Sequence, residues 1–174
     1  MDAFPDVRPR LLLDDREFDI SSLEAECAIR LWETTQADLI QRRILTVKTS
    51  FWASKDYLMK KGAPQKAAEL DHHPVLAYCA KVSDPMRALD VVLRIGRDES
   101  RPREPALTIN NVAALVRAVA AGLGIGSLPD YLANQEPALV RVLENEPQPS
   151  FDVFFIYPAD LRRCKRIAAF RQFL

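Results

Sequence analysis

The sequence predicts an α/β protein, and three features predict it. Ile109 to Tyr131 reads helix, glycine corner, buried strand, proline exit. Short apolar strands and amphipathic helices alternate along most of the chain, as they do where helices pack on a sheet. Two long extended segments, around 44–54 and 150–158, flank a self-contained αβ block. Two lobes joined by two crossing strands would produce that layout, although periodicity alone does not establish it.

The Ile109 stretch organises the rest. Asn110 or Asn111 supplies an N-cap, because a short polar side chain accepts a hydrogen bond from an unpaired helix N–H. From Val112 to Ala121 the only charge is Arg117, so the helix is expected to be covered on nearly every side. Gly122 ends it, and Leu123 to Leu128 follow as a buried strand closed by Pro129. Gly122, Gly124 and Gly126 follow the helix and precede the strand. A dinucleotide fingerprint needs the reverse order, so these glycines are read as a packing corner.

Before this unit, Val7–Leu13 is expected as an edge strand, Phe18–Glu26 as a short helix and Cys27–Leu31 as a second strand. Glu33–Asp38 is a polar loop, and Leu39–Ser54 is extended with alternating side chains. Lys55–Lys61 and Ala67–Leu70 are helical turns, and Pro74–Cys79 is a strand. Asp84-Pro85 caps a helix through Met86, Leu89, Val92 and Ile95 that Gly96 ends. Arg97–Pro105 is a charged loop. Late strands at Leu139–Leu143 and Asp152–Tyr157 precede a C-terminal helix opened by Asp160, with Leu161, Cys164, Ile167 and Phe170 inward.

Composition narrows the function. Among 174 residues, 24 Lys and Arg balance 24 Asp and Glu, which removes the basic excess typical of a nucleic-acid grip. Met1 to Arg10 has no apolar core of signal-peptide length, and no run is long enough to span a membrane. Cys27, Cys79 and Cys164 are odd in number and isolated, and read as small core residues in a reducing compartment. A cytoplasmic protein without membrane, metal or cofactor is expected. No nucleophile elbow or zinc-hydrolase motif occurs, so no catalytic residue is assigned and the chain is read as a non-enzyme. His72 and His73 would point to opposite faces of a strand and so could not share one metal. Trp32 and Trp52 are read as core or cleft wall.

Several short segments resemble, in order, the effector-binding domain of LysR-type transcriptional regulators. They are Phe4-Pro5-Asp6-Val7, Glu26-Cys27-Ala28-Ile29-Arg30, Leu39 to Arg43, and Ala53 to Leu58. Further along come Gly62-Ala63-Pro64 with Leu70 and His73, then Gly122-Leu123-Gly124-Ile125 with Leu128-Pro129 and Tyr131-Leu132. The last are Tyr157-Pro158 and Phe170 to Leu174. Two departures are Glu26 in place of the family's Asp and Lys55-Asp56 in place of its Pro-Ala.

The resemblance implies a two-lobed, type 2 periplasmic-binding-protein-like fold with two crossover segments. Lobe I would hold 1–46 plus 157–174 and lobe II 47–156. It also implies that the first lobe is incomplete, lacking its first strand and helix, and that no winged helix-turn-helix is present. The implied function is sensing of a small, anionic effector in an interlobe cleft to modulate transcription. Asp15, Arg16, Thr34, Thr35, Asn110, Asn111 and Ser127 are the implied effector contacts. Implied partners are a second copy or a full-length family member, with DNA reached only through the missing domain. The alternatives are a free-standing solute-binding protein of the same fold and a non-functional remnant.

Overall fold

The structure, a computed structural model, describes residues 7–13, 20, 24–31, 33–78 and 89–174. Expectations for Asp15, Arg16, Trp32, Cys79 and the Asp84-Pro85 cap lie outside these residues. The chain forms two compact units, one of residues 1–45 with 152–174 and one of residues 46–151.

In the first unit, strand β1 (Ala28–Arg30) pairs antiparallel with β7 (Ser150–Pro158), Ala28 opposite Ile156 and Arg30 opposite Phe154. The other neighbour of β7 is β2 (Leu39–Ser54), and Ala159 N donates to Asp38 O at 2.9 Å where the two meet. β7 is paired on both edges and packed on both faces, which explains its unbroken run Val153 to Tyr157. Phe154 and Ile156 pack with Ile20 and Leu39 on one face. Phe155 and Tyr157 pack with Ile167, Cys27, Cys164 and Phe170 on the other.

In the second unit, Thr49 to Trp52 of β2 pair antiparallel with β5 (Ile125–Pro129), and Phe51 to Ser54 pair with β6 (Leu139–Val142). Next to β5 and parallel to it runs β3 (Val75–Tyr78), followed by β4 (Leu107–Ile109), also parallel. The core on one side holds Phe51, Ala53, Tyr57, Leu70, Val75, Val92 and Ile125. Each such fully buried large side chain contributes about 1.5–3 kcal/mol by leaving water. Helix α1 (Lys55–Lys61) is capped by Ser54, whose hydroxyl accepts from Tyr57 N. Helix α2 (Val112–Ala120) packs along β3 and β5, and the short α3 (Asp130–Ala133) follows β5 directly.

The glycine corner is built for packing. Gly122 has φ +81°, the left-handed conformation that ends α2. A Cβ at Gly124 would lie 2.3 Å from Pro74 O and 2.4 Å from Leu76 Cδ1, so the chain passes β3 at a distance only glycine permits.

Five expectations are corrected. Residues 7–13 form no strand, and Leu11 and Leu13 are exposed. Helix α2 is covered on one side only: Leu115, Val116 and Val119 are buried while Ala113 and Arg117 face solvent. Alanine carries too little apolar surface to demand cover, so a row of alanines overstated the buried arc.

His72 ends a 3-10 turn, Ala67–His72, with His73 just beyond it, so strand alternation does not apply to the pair. Of the helix expected up to Gly96, the described part is a 3-10 turn, Val91–Leu93, and a bend. The C-terminal helix is α4 (Lys165–Phe173), preceded by a separate 3-10 turn, Ala159–Arg163, with Cys164 at the junction.

Candidate functional site

Parallel strands β3, β4 and β5 end at one edge of the sheet, at Tyr78, Ile109 and Pro129. The chain steps from β3 outward to β4 and then back across β3 to β5. In open α/β sheets ligands bind beyond the carboxyl ends of the strands where such a reversal occurs. Asn110 and Asn111 occupy that position, between β4 and α2. Asn111 Oδ1 accepts from Ala114 N at 2.9 Å, and its carbonyl accepts from Leu115 N at 2.9 Å. The cap leaves the amides of Val112 and Ala113 as the first donors of a nine-residue helix, a setting that favours an anion without a formal charge. Asn110 is exposed and its side chain forms no hydrogen bond among the described residues.

Ser127 is fully buried in β5, opposite Phe51 in register. β3 separates it from β4, so within this unit only the two asparagines are immediate neighbours.

Thr34 and Thr35 follow β1 in the other unit. The Gln41 side chain holds both backbone groups of Thr34: Thr34 N donates to Gln41 Oε1 at 2.9 Å, and Gln41 Nε2 donates to Thr34 O at 3.1 Å. Gln36 N donates to Thr34 Oγ1 at 3.2 Å. The loop is therefore pinned at Thr34, and exposed Thr35 is left without a side-chain hydrogen bond among the described residues. Asp15 and Arg16 lie outside the described residues.

The described candidates are Thr, Asn and Ser side chains and helix amides, none of which titrates near neutral pH. Such groups orient and bind a ligand. Among the described residues no group of three or more His, Cys, Asp and Glu is placed to hold a metal ion. Nor is any helix among them long and apolar enough to cross a membrane.

Sequence reasoning missed several polar placements. Tyr78 ends β3 beside Ile109 and is buried; its place in an apolar strand hid it as an edge residue. Trp52 Nε1 donates to Asp130 Oδ1 at 3.3 Å, and Arg141 lies over the Trp52 ring while binding Asp130 at 2.9 Å. The Tyr57 hydroxyl hydrogen-bonds His73 Nδ1 at 2.8 Å. Burial, then the neighbouring charge of His72, lowers the His73 pKa, and burial raises that of Tyr57. Arg103, buried and paired with Asp71, was marked by no local pattern.

Comparison with known proteins places these elements in context. The family model described as the LysR substrate binding domain matches residues 1–174. An uncharacterized HTH-type transcriptional regulator of Haemophilus influenzae is 27% identical over 162 residues, covering 91% of this chain and 55% of its own length. An HTH-type transcriptional regulator of Xanthomonas campestris is 26% identical over 98% of this chain and 51% of its own length. The chain thus spans about half the length of the curated relatives it matches.

Among solved structures, the regulatory domain of CrgA, a LysR-type transcriptional regulator from Neisseria meningitidis, superposes with a TM-score of 0.83 at 23% identity. That match covers 99% of this chain and 84% of that one. Full-length AphB, a virulence activator of Vibrio cholerae, superposes with a TM-score of 0.77 at 22% identity, over 99% of this chain and 59% of that one.

Proposed function

The chain belongs to the LysR substrate binding domain family and has the type 2 periplasmic-binding-like fold of LysR regulatory domains, and from that premise we propose that it senses a small anionic effector for a transcriptional regulator. The observation that carries the reading is the start of α2: a capped helix N-terminus with free amides, at the carboxyl edge of three parallel strands, flanked by Asn110 and Asn111. A carboxylate or similar group fits that setting.

In this reading the effector contacts are Asp15, Arg16, Thr34, Thr35, Asn110, Asn111 and Ser127. Thr35 and Asn110 offer uncommitted polar groups, Asn111 fixes the helix entry, and Ser127 supports β5 from within. The ligand acts by its difference in affinity for two arrangements of the protein, and the response is limited by that difference. The role assigned to these 174 residues is sensing and oligomerisation in the cytoplasm, with a second copy or a full-length relative. DNA contact is assigned to a helix-turn-helix outside them, and no catalytic step is assigned.

A thermal-shift screen of carboxylates, amino acids and aromatic acids tests the proposal, because a ligand that binds only the folded form raises its stability. We expect at least one anion to raise the melting temperature. The shift should shrink in Asn110→Ala and vanish in Asn110→Ala combined with Thr35→Ala. A folded protein that responds to no member of the screen would refute the sensing role.

A further inference from the structure

The basic character of this neutral chain is concentrated at one place. Residues 159–174 hold five of its 24 Lys and Arg residues and one of its 24 Asp and Glu residues. The structure sorts the four arginines among them into two kinds. Arg166 reaches across to Glu26, Nη2 to Oε1 at 2.5 Å, and is neutralised there. Arg162, Arg163 and Arg171 form no side-chain hydrogen bond or ion pair among the described residues.

These three line one open crevice of about 730 Å³ together with Ala159 and Asp160. Two elements create it. The 3-10 turn Ala159–Arg163 supplies the first two arginines, and the last turn of α4 brings Arg171 alongside. Leu161, Cys164 and Phe170 pack against the Phe155–Tyr157–Ile167 cluster, so both elements are anchored from behind while their cations face outward.

We propose that this crevice is a binding site for a compact polyanion bearing at least two oxyanion groups, a diphosphate or a di- or tricarboxylate, distinct from the effector residues proposed above. Three guanidiniums facing one carboxylate leave a net of two positive charges in the lining, so a single monoanion leaves the crevice positively charged. Each guanidinium is a planar fork that meets a carboxylate or phosphate through two parallel hydrogen bonds. The volume lies within the range of ordinary small-molecule sites, and the polar lining excludes an apolar occupant.

The test is calorimetric titration of the full chain with inorganic pyrophosphate and, separately, with citrate, against sodium chloride at matched ionic strength. Binding of either at one site per chain is expected, and the tighter of the two identifies phosphate or carboxylate as the chemistry. Arg163→Gln and Arg171→Gln should each weaken it roughly tenfold, the scale of one lost charge-assisted contact. Arg166→Gln, outside the lining, should leave it unchanged. All three positions are exposed, and circular dichroism verifies that each variant is folded.

Absence of binding beyond the chloride control would overturn the proposal. So would an Arg166→Gln loss equal to that of Arg163→Gln, which would indicate diffuse charge without a site. Tighter binding of random-sequence duplex DNA than of pyrophosphate, falling linearly with the logarithm of salt, would reassign the surface to nucleic acid.

Discussion

The two units differ in where their described ion pairs lie. In residues 46–151 a guanidinium is buried: the Arg103 side chain is 4% exposed. Its Nε donates to Asp71 Oδ1 at 2.7 Å, Nη1 to the carbonyls of Val92 and Ile95 at 3.1 and 2.7 Å, and Nη2 to Ala67 O at 2.8 Å. That one side chain ties the turn at 67–72 to the turn at 91–96, and Arg97 shares Asp71 from outside at 2.9 Å. In residues 1–45 with 152–174 Arg30 is buried as well, but the ion pairs seen among the described residues lie at the surface. The Arg166 and Glu26 side chains are 64% and 51% exposed, and those of Arg43 and Asp152, an ion pair at 3.6 Å, are 63% and 38% exposed. There the aromatic cluster of Phe155, Tyr157 and Phe170 organises the unit. The difference teaches that an ion pair specifies structure where its partners are irreplaceable backbone carbonyls, and decorates it where solvent can substitute.

Arg103→Met breaks the comparison hardest. It leaves three inward carbonyls without their donor and Asp71 with Arg97 as its remaining guanidinium partner, and we expect a loss of about 3 kcal/mol in urea denaturation. A loss below about 1 kcal/mol would mean that water replaces the guanidinium there. Next comes Gly124→Ala, which drives a methyl group into Pro74 O. Overpacking of this kind costs about 1–3 kcal/mol, read in the same experiment.

Acid sharpens the contrast. The His73 pKa is held below its ordinary value of about 6.5, mainly by burial. On acidification the unfolded chain therefore takes up the proton first, so stability is present above about pH 6.5 and declines as pH falls below it. The urea midpoint should drop between about pH 7.5 and about pH 5.5, and His73→Gln should flatten that slope. The Asp71 carboxyl, held low chiefly by its hydrogen bond from Arg97, stays charged through that window and adds nothing to the slope until stronger acid. The smallest effect belongs to Arg166→Ala, where an exposed pair is lost. Its denaturation midpoint should be indistinguishable from that of the parent.

Much of the fold was legible because its signals are local. Alternation over residues 44–49 marked Leu39–Ser54 as extended, and the structure makes all of it one strand. The pair Asn110 and Asn111 announced the start of α2, where Asn111 proves to be the cap, and Gly122 announced its end. The LysR resemblance read from seven short motifs agrees with the family match over the whole chain. What stayed hidden depends on distant partners. The loop Arg97–Pro105 reads as solvated charge, yet Arg103 is buried because carbonyls at 67, 92 and 95 converge on it. Whether a turn closes by i+3 or i+4 bonding separates the 3-10 turns at 91–93 and 159–163 from the helices expected there, and side-chain periodicity barely distinguishes the two. At the candidate site, Thr34, Asn110 and Ser127 lie on separate elements. Their proposed assignment to one ligand came from family resemblance, since no spacing in the chain encodes it.

The most direct test of the sensing role is amide chemical-shift mapping of the isotopically labelled chain with an anion that raises its melting temperature. The account predicts perturbations concentrated at Thr34, Thr35, Asn110 to Ala114 and Ser127. Perturbations confined to residues 159–171, with the start of α2 silent, would contradict it.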